Sequence, residues 1–410
     1  MVECWLPYGK TEVHISVALK NLMAIAEIKA EVAAEPEKEI LASIQNPVDS
    51  RRLTEIVGKG KHVALALEGE LPSSYIGFAA EQVITELLGS GVTAEDISVI
   101  VSPGTAGTIR GDLQEQLKLL ERFNIRVTEH SWSQGDVKEA GGFLINKYFL
   151  EADIRVVLGE VKPDPVVGYG GGASILFPGL ASIRSIEPRL KRSLAVSSRL
   201  SMLEGNPVHE ASKEVAELVG VDFAVNIVSD PRGQPIKVFT GALEKSWRSA
   251  VEFAEKTYTA ELEKGEVIVV SAGGYPYDRT LYLASRAVEN VASLRRRGGT
   301  VILLSECSEG YGDASLYEYM AEHRDLKSME RALREKWTMG GEAAYRLRRA
   351  MEGSQLVLVS MIPDNTARAL DIKVNRTASD ALSYVNKLAR KELKAVVVPF
   401  GSVTIPRLKA

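Results

Sequence analysis

The chain has 410 residues, which is enough for two domains, and 45% of them are hydrophobic and 25% charged, as in ordinary globular proteins. The formal net charge of −4 argues against a nucleic-acid partner, because non-specific binding to nucleic acid depends on a basic surface. Composition and charge therefore favour an ordinary globular protein over a nucleic-acid-binding one.

Neither the cysteines nor the N-terminus indicates export. Cys4 and Cys307 are the two cysteines, and their separation is typical neither of a disulfide framework nor of a zinc site. They fit a reducing compartment. The first residues show no signal-peptide pattern, and no apolar run is long enough to span a bilayer. We expect a cytoplasmic protein without a membrane partner.

Strand and helix patterns alternate through the first part of the chain. Residues 62–67 predict a buried strand, and apolar residues at helical spacing follow over 78–89. Residues 97–101 predict a second strand, 113–123 an amphipathic helix, and 154–161 a third strand. This alternation predicts an α/β fold with a mainly parallel sheet.

The segments that follow these three strands are expected to meet. Glu68 follows the first strand, residues 103–108 follow the second, and residues 162–174 follow the third. Ligand loops of a parallel sheet lie at the carboxyl ends of its strands. The sequence therefore predicts a site at this edge of the sheet.

The second part of the chain continues the α/β pattern. A turn at 229–235 predicts an antiparallel hairpin, and a long helix is predicted over 242–263. Further predicted elements are strands at 267–270, 300–304, 356–360 and 395–399 and a helix over 280–297. We expect two α/β domains, 1–258 and 259–400, with an interdomain cleft for a ligand and a tail, 401–410, that can return to the first domain.

The most informative segment is a glycine-rich loop after the third strand. Gly168, Gly170, Gly171 and Gly172 free the backbone to adopt positive φ, and no side chains obstruct a close approach. Successive N–H groups in such a loop can bind an anion. A tight structural turn is the alternative interpretation of the same glycines.

Six segments, in order along nearly the whole chain, resemble the nickel-pincer lactate racemase family. The family's glycine loop reads Gly-Tyr-Ser-Gly-Gly, then Ala or Gly, then Lys, and residues 168–174 here read Gly-Tyr-Gly-Gly-Gly-Ala-Ser. The other segments are Leu-Pro-Tyr-Gly-Lys at 6–10, Glu-Ala-Asp at 151–153, Gly-Asn-Pro-Val at 205–208, Gly-Gly-Tyr-Pro at 273–276 and Ser-Glu-Cys-Ser-Glu-Gly at 305–310. The resemblance implies two α/β domains.

The resemblance also implies a chemistry. In the family, a nicotinate-derived pincer cofactor is joined to the lysine of the glycine loop and holds nickel, with one histidine as a further ligand. Two other histidines act as acid and base on the hydroxyl of the substrate, a 2-hydroxy acid. The cofactor takes a hydride from the α-carbon and returns it to either face.

The groups that this chemistry needs are replaced here at Leu71, Ala106, Asp164, Ser174, Leu190 and Tyr277. Ser174 offers no amine for attachment, and Leu190 stands where the nickel-ligand histidine belongs. Ala106 and Asp164 replace the two acid/base histidines. Leu71 replaces an arginine of the cofactor-phosphate loop, and Tyr277 replaces a lysine that contacts substrate. We therefore expect no cofactor and no metal.

Candidate catalytic residues are Asp164 and Tyr277. Asp164 is either a base or the turn residue before Pro165, and Tyr277 is either a ligand donor or part of a cleft wall. Candidate ligand-binding residues are Thr105, Arg110, Lys162, Gly168, Tyr169, Gly170, Gly171, Gly172 and Ser174. Arg110 and Lys162 can hold an anion, although a helix-start arginine and a solvent-facing lysine explain them equally simply.

Three functions remain open from the sequence. The first is an isomerase of a 2-hydroxy acid or a related small anionic substrate, which the resemblance favours. The second is an enzyme with other acid/base chemistry around Asp164 and the glycine loop. The third is a non-catalytic binder of a small anion, or a partner of an active homologue. All three imply a small anionic metabolite as ligand, and a homo-oligomer is compatible with each.

Overall fold

The computed structural model describes residues 1–71, 73–133, 135–194 and 200–409. In chain order the strands are β1 (Val2–Tyr8), β2 (Thr11–Val17), β3 (Leu22–Ile25), β4 (Val63–Glu68), β5 (Ile97–Ser102), β6 (Arg126–Glu129), β7 (Val137–Ala140), β8 (Phe143–Asn146), β9 (Ile154–Glu160), β10 (Pro163–Asp164), β11 (Gly168–Tyr169), β12 (Phe223–Ser229), β13 (Pro235–Gly241), β14 (Thr259–Leu262), β15 (Gly265–Ser271), β16 (Arg295–Leu304), β17 (Gln355–Val359), β18 (Lys373–Asn375), β19 (Ala395–Val398) and β20 (Ile405–Leu408).

The α-helices of the same residues are α1 (Pro36–Gln45), α2 (Leu53–Ile56), α3 (Ile76–Gly89), α4 (Leu113–Leu117), α5 (Lys147–Glu151), α6 (Ile183–Ser193), α7 (Pro207–Val219), α8 (Leu243–Tyr258), α9 (Leu281–Val291), α10 (Ala314–Glu322), α11 (Leu326–Glu335), α12 (Met339–Ala350), α13 (Asp364–Ala369) and α14 (Ala378–Ala389). In the described part of the chain, no helix is both long and apolar enough to cross a membrane.

The chain divides into two compact units. The central unit is Lys29–Thr257, and the terminal unit combines Met1–Ile28 with Tyr258–Ala410. This differs from the division expected from the sequence, which placed residues 1–28 with the first domain and allowed the tail 401–410 to return to it. The reason is strand pairing: β3 adds to β19 at a sheet edge, and β20 pairs in parallel with β14.

The central unit is built on a sheet with the strand order β13-β12-β9-β4-β5-β6. The neighbours from β12 to β6 are parallel, and β13 is antiparallel to β12, which confirms the predicted hairpin. All residues of β4 are buried. Strands covered on both faces form continuous apolar runs, which is why this segment could be recognised in the sequence.

One face of this sheet packs against α3. Leu65, Val99 and Val156 from neighbouring strands share a core with Val83 and Leu87, which lie one helical turn apart. Hydrophobic burial here fixes the sheet, and the sheet in turn fixes where the loops after β4, β5 and β9 begin.

The terminal unit contains a second parallel sheet, with the order β18-β17-β16-β15-β19-β3. Val269, Ile302 and Val397 share its core with Leu6 and Ile15 of the β1–β2 hairpin. The first residues of the chain therefore complete the core of the unit formed by the last ones.

Two predicted helices are shorter than expected. The helix predicted over 280–297 ends at Val291 in α9, and Arg295 already begins β16, where its side chain donates to the carbonyl oxygen of Ala350 at 2.7 Å. The helix predicted over 242–263 ends at Tyr258, because Thr259–Leu262 forms β14. The α/β class with mainly parallel sheets is confirmed.

Candidate functional site

The predicted convergence of loops is present in the central unit. β4, β5 and β9 are parallel neighbours, so the residues that follow them emerge at the same edge. The Thr105 hydroxyl, from the loop after β5, donates to Asp164 Oδ2, after β9, at 2.7 Å. The hydrogen bond joins two of the three loops directly.

Glu70, in the loop after β4, connects this third loop to the loop after β5. Its Oε2 accepts hydrogen bonds from the backbone N–H of Thr105 at 2.6 Å and of Ala106 at 2.8 Å. The loop approaches so closely that a Cβ on Gly104 would lie 2.4 Å from Glu70 Oε2. An internal carboxylate therefore occupies backbone amides of the kind that bind anions in other proteins.

Asp164 adopts the geometry of a turn residue. Its Oδ1 accepts from the backbone N–H of Val166 at 2.7 Å and of Val167 at 2.9 Å, and its Oδ2 accepts from Thr105. This is the Asx-type arrangement that short acidic residues form with amides ahead of them. The structural interpretation of Asp164 thus has direct geometric support.

The glycine loop is held from several sides. Gly168, Gly171 and Gly172 have φ of 85°, 69° and 51°, values that favour glycine. The Gly170 N–H donates to the carbonyl oxygen of Lys162 at 2.9 Å, and the Gly172 N–H donates to Asn226 Oδ1 at 3.2 Å. Two amides of the loop thus make internal hydrogen bonds, as in a structural turn.

Trp247 of α8 fixes the same loop. Its Nε1 donates to the carbonyl oxygen of Gly170 at 3.0 Å, and its ring is stacked with that of His209, with 5.4 Å between the centroids. A Cβ on Gly172 would lie 2.5 Å from Trp247 Cδ1. The loop can therefore carry no side chain at this position without displacing the tryptophan.

The remaining predicted ligand residues of this unit are buried. The Ser174 hydroxyl donates to the carbonyl oxygen of Gly171 at 2.8 Å, and Tyr169 lies in β11 opposite Pro163. Arg110 donates its backbone N–H to the carbonyl oxygen of Gly69 at 2.7 Å, and its Nε lies 2.6 Å from Asp112 Oδ1.

A buried group of one lysine and two glutamates lies at the ends of β4 and β9. Lys162 Nζ is 3.4 Å from Glu160 Oε2 and 3.9 Å from Glu68 Oε1, and it also donates to the carbonyl oxygen of Leu71. Glu68 Oε2 accepts from the Glu160 N–H at 2.7 Å. We call Glu68, Glu160 and Lys162 the strand-end triad.

The electrostatics of the triad are unusual for carboxyl groups. Burial raises the pKa of Glu68 to about 7, against the attraction of Lys162 and with a further rise from the charge of Glu160. Burial also raises the pKa of Glu160, which Lys162 opposes. Within the described residues, Glu160 Oε1 has no hydrogen-bond partner. Carboxyl groups with a raised pKa occur at functional sites and also in buried structural ion pairs.

Sequence reasoning named Lys162 but assigned no role to Glu68 or Glu160. A signal was present, because each glutamate is the last residue of an otherwise apolar buried strand. A glutamate at the end of a buried strand is itself expected to be buried, and because β4 and β9 are parallel neighbours their terminal glutamates lie close together.

Tyr277 belongs to the terminal unit, whereas Asp164 belongs to the central unit. Tyr277 is buried in the loop after β15. Beside it, Asp278 Oδ2 accepts from the N–H of Gly9 at 2.7 Å and of Glu306 at 3.1 Å. Burial raises the pKa of Asp278, which these hydrogen bonds oppose.

Three of the residues expected from the sequence to replace family site residues have buried apolar side chains. Leu71, Ala106 and Leu190 are all buried, the last within α6. His130 is buried as well, its Nε2 lies 3.1 Å from the carbonyl oxygen of Ala181, and burial lowers its pKa. In the described ranges of the chain, no three His, Cys, Asp or Glu side chains are grouped as metal ligands.

Comparison with known proteins gives consistent matches. The sequence models of the lactate racemase N-terminal domain and the lactate racemase C-terminal domain match residues 8–200 and 260–405. The lactate racemase of Thermoanaerobacterium thermosaccharolyticum is 22% identical over 435 residues, with 100% of each chain covered. That of Lactiplantibacillus plantarum is 22% identical over 425 residues, covering 98% of this chain and 99% of the other.

Two solved structures share the fold. The lactate racemase apoprotein from T. thermosaccharolyticum superimposes with a TM-score of 0.86 at 21% identity, over 99% of this chain and 100% of that chain. A protein from Thermotoga maritima gives a TM-score of 0.69 at 15% identity, over 93% of this chain and 100% of that chain. At these identities the likeness concerns architecture, and chemistry must be argued from the site.

Proposed function

Because the chain belongs to the lactate racemase family, we propose that it is a racemase or epimerase of a 2-hydroxy acid or a related small anionic substrate, and that its own carboxyl groups move the proton. The observation that carries this proposal is the strand-end triad, in which Glu68 has a pKa of about 7. A carboxyl group with this pKa can accept and release a proton near neutral pH.

The residues present do not fit the family's nickel-pincer cofactor. The position of the attachment lysine holds Ser174, whose hydroxyl is already bonded to the Gly171 carbonyl oxygen. The position of the nickel-ligand histidine holds Leu190, which is buried in α6 and has no metal-binding atom. The proposed reaction therefore uses side chains of this chain alone.

The chemistry requires a base, an acid and a cation. A carboxylate takes the proton from C2, the electron pair of the C–H bond moves into the substrate carboxyl group, and a proton returns to the opposite face. Glu68 and Glu160 are the candidate proton carriers, and Lys162 stabilises the negative charge that develops on the substrate. Two carboxyl groups with raised pKa values are suited to opposite protonation states at one pH.

A non-catalytic anion binder is the second candidate. It is favoured over a catalyst because Glu70 and Asp164 bind backbone amides of the loops and hold the loops as a fixed structure; the amides that they occupy are then not the ones that bind the anion.

The test is solvent-deuterium incorporation. Protein from its native host is incubated in D₂O with single enantiomers of lactate and of longer 2-hydroxy acids. The products are separated on a chiral column, and their masses are measured by mass spectrometry. Proton transfer predicts an inverted product with one deuterium at C2. Inverted product that retains the substrate hydrogen at C2 would contradict proton transfer, if intact-mass measurement also shows a covalent adduct on the protein. Binding without turnover would favour the binder.

Matched variants locate the reaction. Glu68→Gln removes the proton carrier and is expected to lower turnover by about 10²- to 10⁴-fold. Glu81→Gln is the control, since Glu81 is also buried but lies on α3 and pairs with Arg122. Equal losses in both variants would mean that the effect of Glu68→Gln is structural.

A further inference from the structure

A cavity of about 590 Å³ lies within the terminal unit. Its lining includes Gln355 at the start of β17, Lys373 at the start of β18, and Leu347 and Arg348 near the end of α12. It therefore opens at the amino-terminal edge of the parallel sheet. Ligands of parallel sheets usually bind at the carboxyl ends, so this cavity is separate from the loops after β15 and β16.

The floor of the cavity is apolar. It is formed by the buried side chains of Met320, Leu347, Leu356, Leu370 and Ile372. Its volume lies in the range of sites that bind small molecules. Such a floor matches the apolar part of a ligand.

Arg348 supplies an incompletely paired charge in the wall. Its side chain is 16% exposed, its Nη2 donates to the carbonyl oxygen of Met320 at 3.2 Å, and its Nη1 is 3.8 Å from Asp371 Oδ2. Its Nε is buried and has no acceptor among the residues that the structure describes. A buried donor without an acceptor is unfavourable, so the guanidinium of Arg348 is incompletely satisfied by its protein partners.

The lining carries four cationic and four acidic side chains, and the carboxylate that pairs with Arg348 is that of Asp371, which is 73% exposed and therefore compensates the guanidinium weakly. Two carboxylates of the lining are engaged elsewhere, because Asp364 lies 2.6 Å from Arg376 and Asp325 caps α11 through Ser328. Burial lowers the pKa of Arg348, the carboxylate of Asp371 opposes this, and the positive charge of Arg324 lowers it further. A guanidinium in this setting gains from an added negative charge.

We propose that this cavity is a second ligand site of the chain, for a small amphipathic anion. The carboxylate or phosphate of the ligand pairs with Arg348, and its apolar part lies on the floor of Met320, Leu347 and Leu356. The proposal concerns the terminal unit and is independent of the reaction proposed for the central unit.

Isothermal titration calorimetry with the whole chain tests the site. The probes are hexanoate and hexyl phosphate, which distinguish a carboxylate from a phosphate ligand, and the comparison probes are hexanol and inorganic phosphate. We expect at least one amphipathic anion to bind more tightly than either comparison probe. No binding of either anion up to its solubility limit, or equal binding of hexanol, overturns the proposal.

Two substitutions test whether the anion binds at Arg348. Arg348→Met keeps an apolar stem and is expected to weaken binding about tenfold or more, since hydrogen bonds to charged groups are lost. Arg349→Met is the matched control, because Arg349 stacks over the Tyr345 ring and is not part of the lining. Equal weakening in both variants, or none in Arg348→Met, overturns the assignment.

A third substitution keeps the test independent of folding. Arg368 lies on the rim and is exposed, so Arg368→Gln leaves the core unchanged. If Arg348→Met fails to fold, a weaker affinity of Arg368→Gln for the anion supports the site, and an unchanged affinity in Arg368→Gln counts against it.

Discussion

Two buried groups in this molecule each combine one cationic side chain with two glutamates, and they differ in how the cation is bound. In the central unit, Lys162 lies between Glu68 and Glu160. In the terminal unit, Arg346 lies between Glu289 of α9 and Glu342 of its own helix, and we call these three residues the helix-pair triad. Burial raises the pKa of the glutamates in both triads, so burial alone does not distinguish them.

The difference lies in how closely the cation is bound. Arg346 is 3.1 Å from Glu289 Oε2 and 2.8 Å from Glu342 Oε1, and Glu342 also accepts from Trp337 Nε1 at 3.0 Å. The planar guanidinium has several fixed donors, and it joins two helices at hydrogen-bond distance. Lys162 is a point charge that donates to Glu160 Oε2 at 3.4 Å and lies 3.9 Å from Glu68 Oε1. We therefore expect the helix-pair triad to stabilise two helices, and the strand-end triad, under the function proposed above, to exchange a proton.

The largest expected effect is on the helix-pair triad. Arg346→Met leaves two glutamates buried without their cation and should lower the free energy of unfolding by about 3–5 kcal/mol. Urea denaturation followed by circular dichroism measures it. Arg334→Met is the control, because its exposed pair with Glu330 should contribute only about 0.3–0.5 kcal/mol. A loss below about 1 kcal/mol in Arg346→Met would remove the distinction between the triads.

The pH dependence of stability tests the strand-end triad. Glu68 has a pKa of about 7 in the folded chain against 4.5 when unperturbed, so the folded state binds the proton more tightly. The stability from this group is fully present below about 4.5 and is lost as the pH rises through about 7. Glu68→Gln stays neutral, so it should be more stable than the natural chain by about 3 kcal/mol at pH 8 and by less than about 1 kcal/mol at pH 5.

The control for this experiment is Glu121→Gln, at an exposed glutamate. It should change the free energy of unfolding by no more than about 0.5 kcal/mol at either pH. A Glu68→Gln variant that is equally or less stable than the natural chain at pH 8 would mean that Glu68 is held ionised by Lys162, as in a structural ion pair.

A smaller effect is expected in the glycine loop beside the strand-end triad. Gly172→Ala places a Cβ 2.5 Å from Trp247 Cδ1 at a φ of 51°. Gly142 has a φ of 85°, and a Cβ added there would have no atom within 4 Å. Gly142→Ala should therefore lower the free energy of unfolding by about 1 kcal/mol, through the backbone conformation alone. Gly172→Ala should be less stable than Gly142→Ala by about 1–3 kcal/mol in thermal or urea unfolding. Equal stabilities would show that Trp247 moves freely and that the loop is not rigid.

The smallest expected effect concerns the hydrogen bonds between the loops. Thr105→Val removes the hydroxyl that donates to Asp164 Oδ2 at 2.7 Å and lies 3.2 Å from Glu70 Oε2, and it should cost about 1–2 kcal/mol. Thr85→Val, at an exposed hydroxyl that bonds only along its own helix, is the comparison and should stay within about 0.5 kcal/mol. If Thr105→Val is as mild as Thr85→Val, the hydrogen bond does not hold the loops together.

Much of the architecture could be predicted because buried parallel strands are continuous apolar runs. The strands at 97–101, 154–161 and 300–304 follow this pattern and are present. Boundaries were less predictable. The helix predicted to residue 297 ends at Val291, because basic residues at 295–297 fit a helix C-terminus and a strand start equally well.

The site was predictable in position and less so in detail. Parallel topology places the loops after β4, β5 and β9 at one edge, and this follows from strand order alone. The bond of Glu70 to the Thr105 and Ala106 amides joins residues from two loops. No local pattern encodes such a contact, because it depends on how the loops pack.

The sequence by itself determined the α/β class and the converging loops. Tertiary structure alone decided that residues 1–28 complete the core of the terminal unit, that Asp164 bonds loop amides, and that Glu68 has a pKa of about 7. The physical reason is that strand periodicity is local, whereas burial and the distance to a distant charge exist only once the chain has folded.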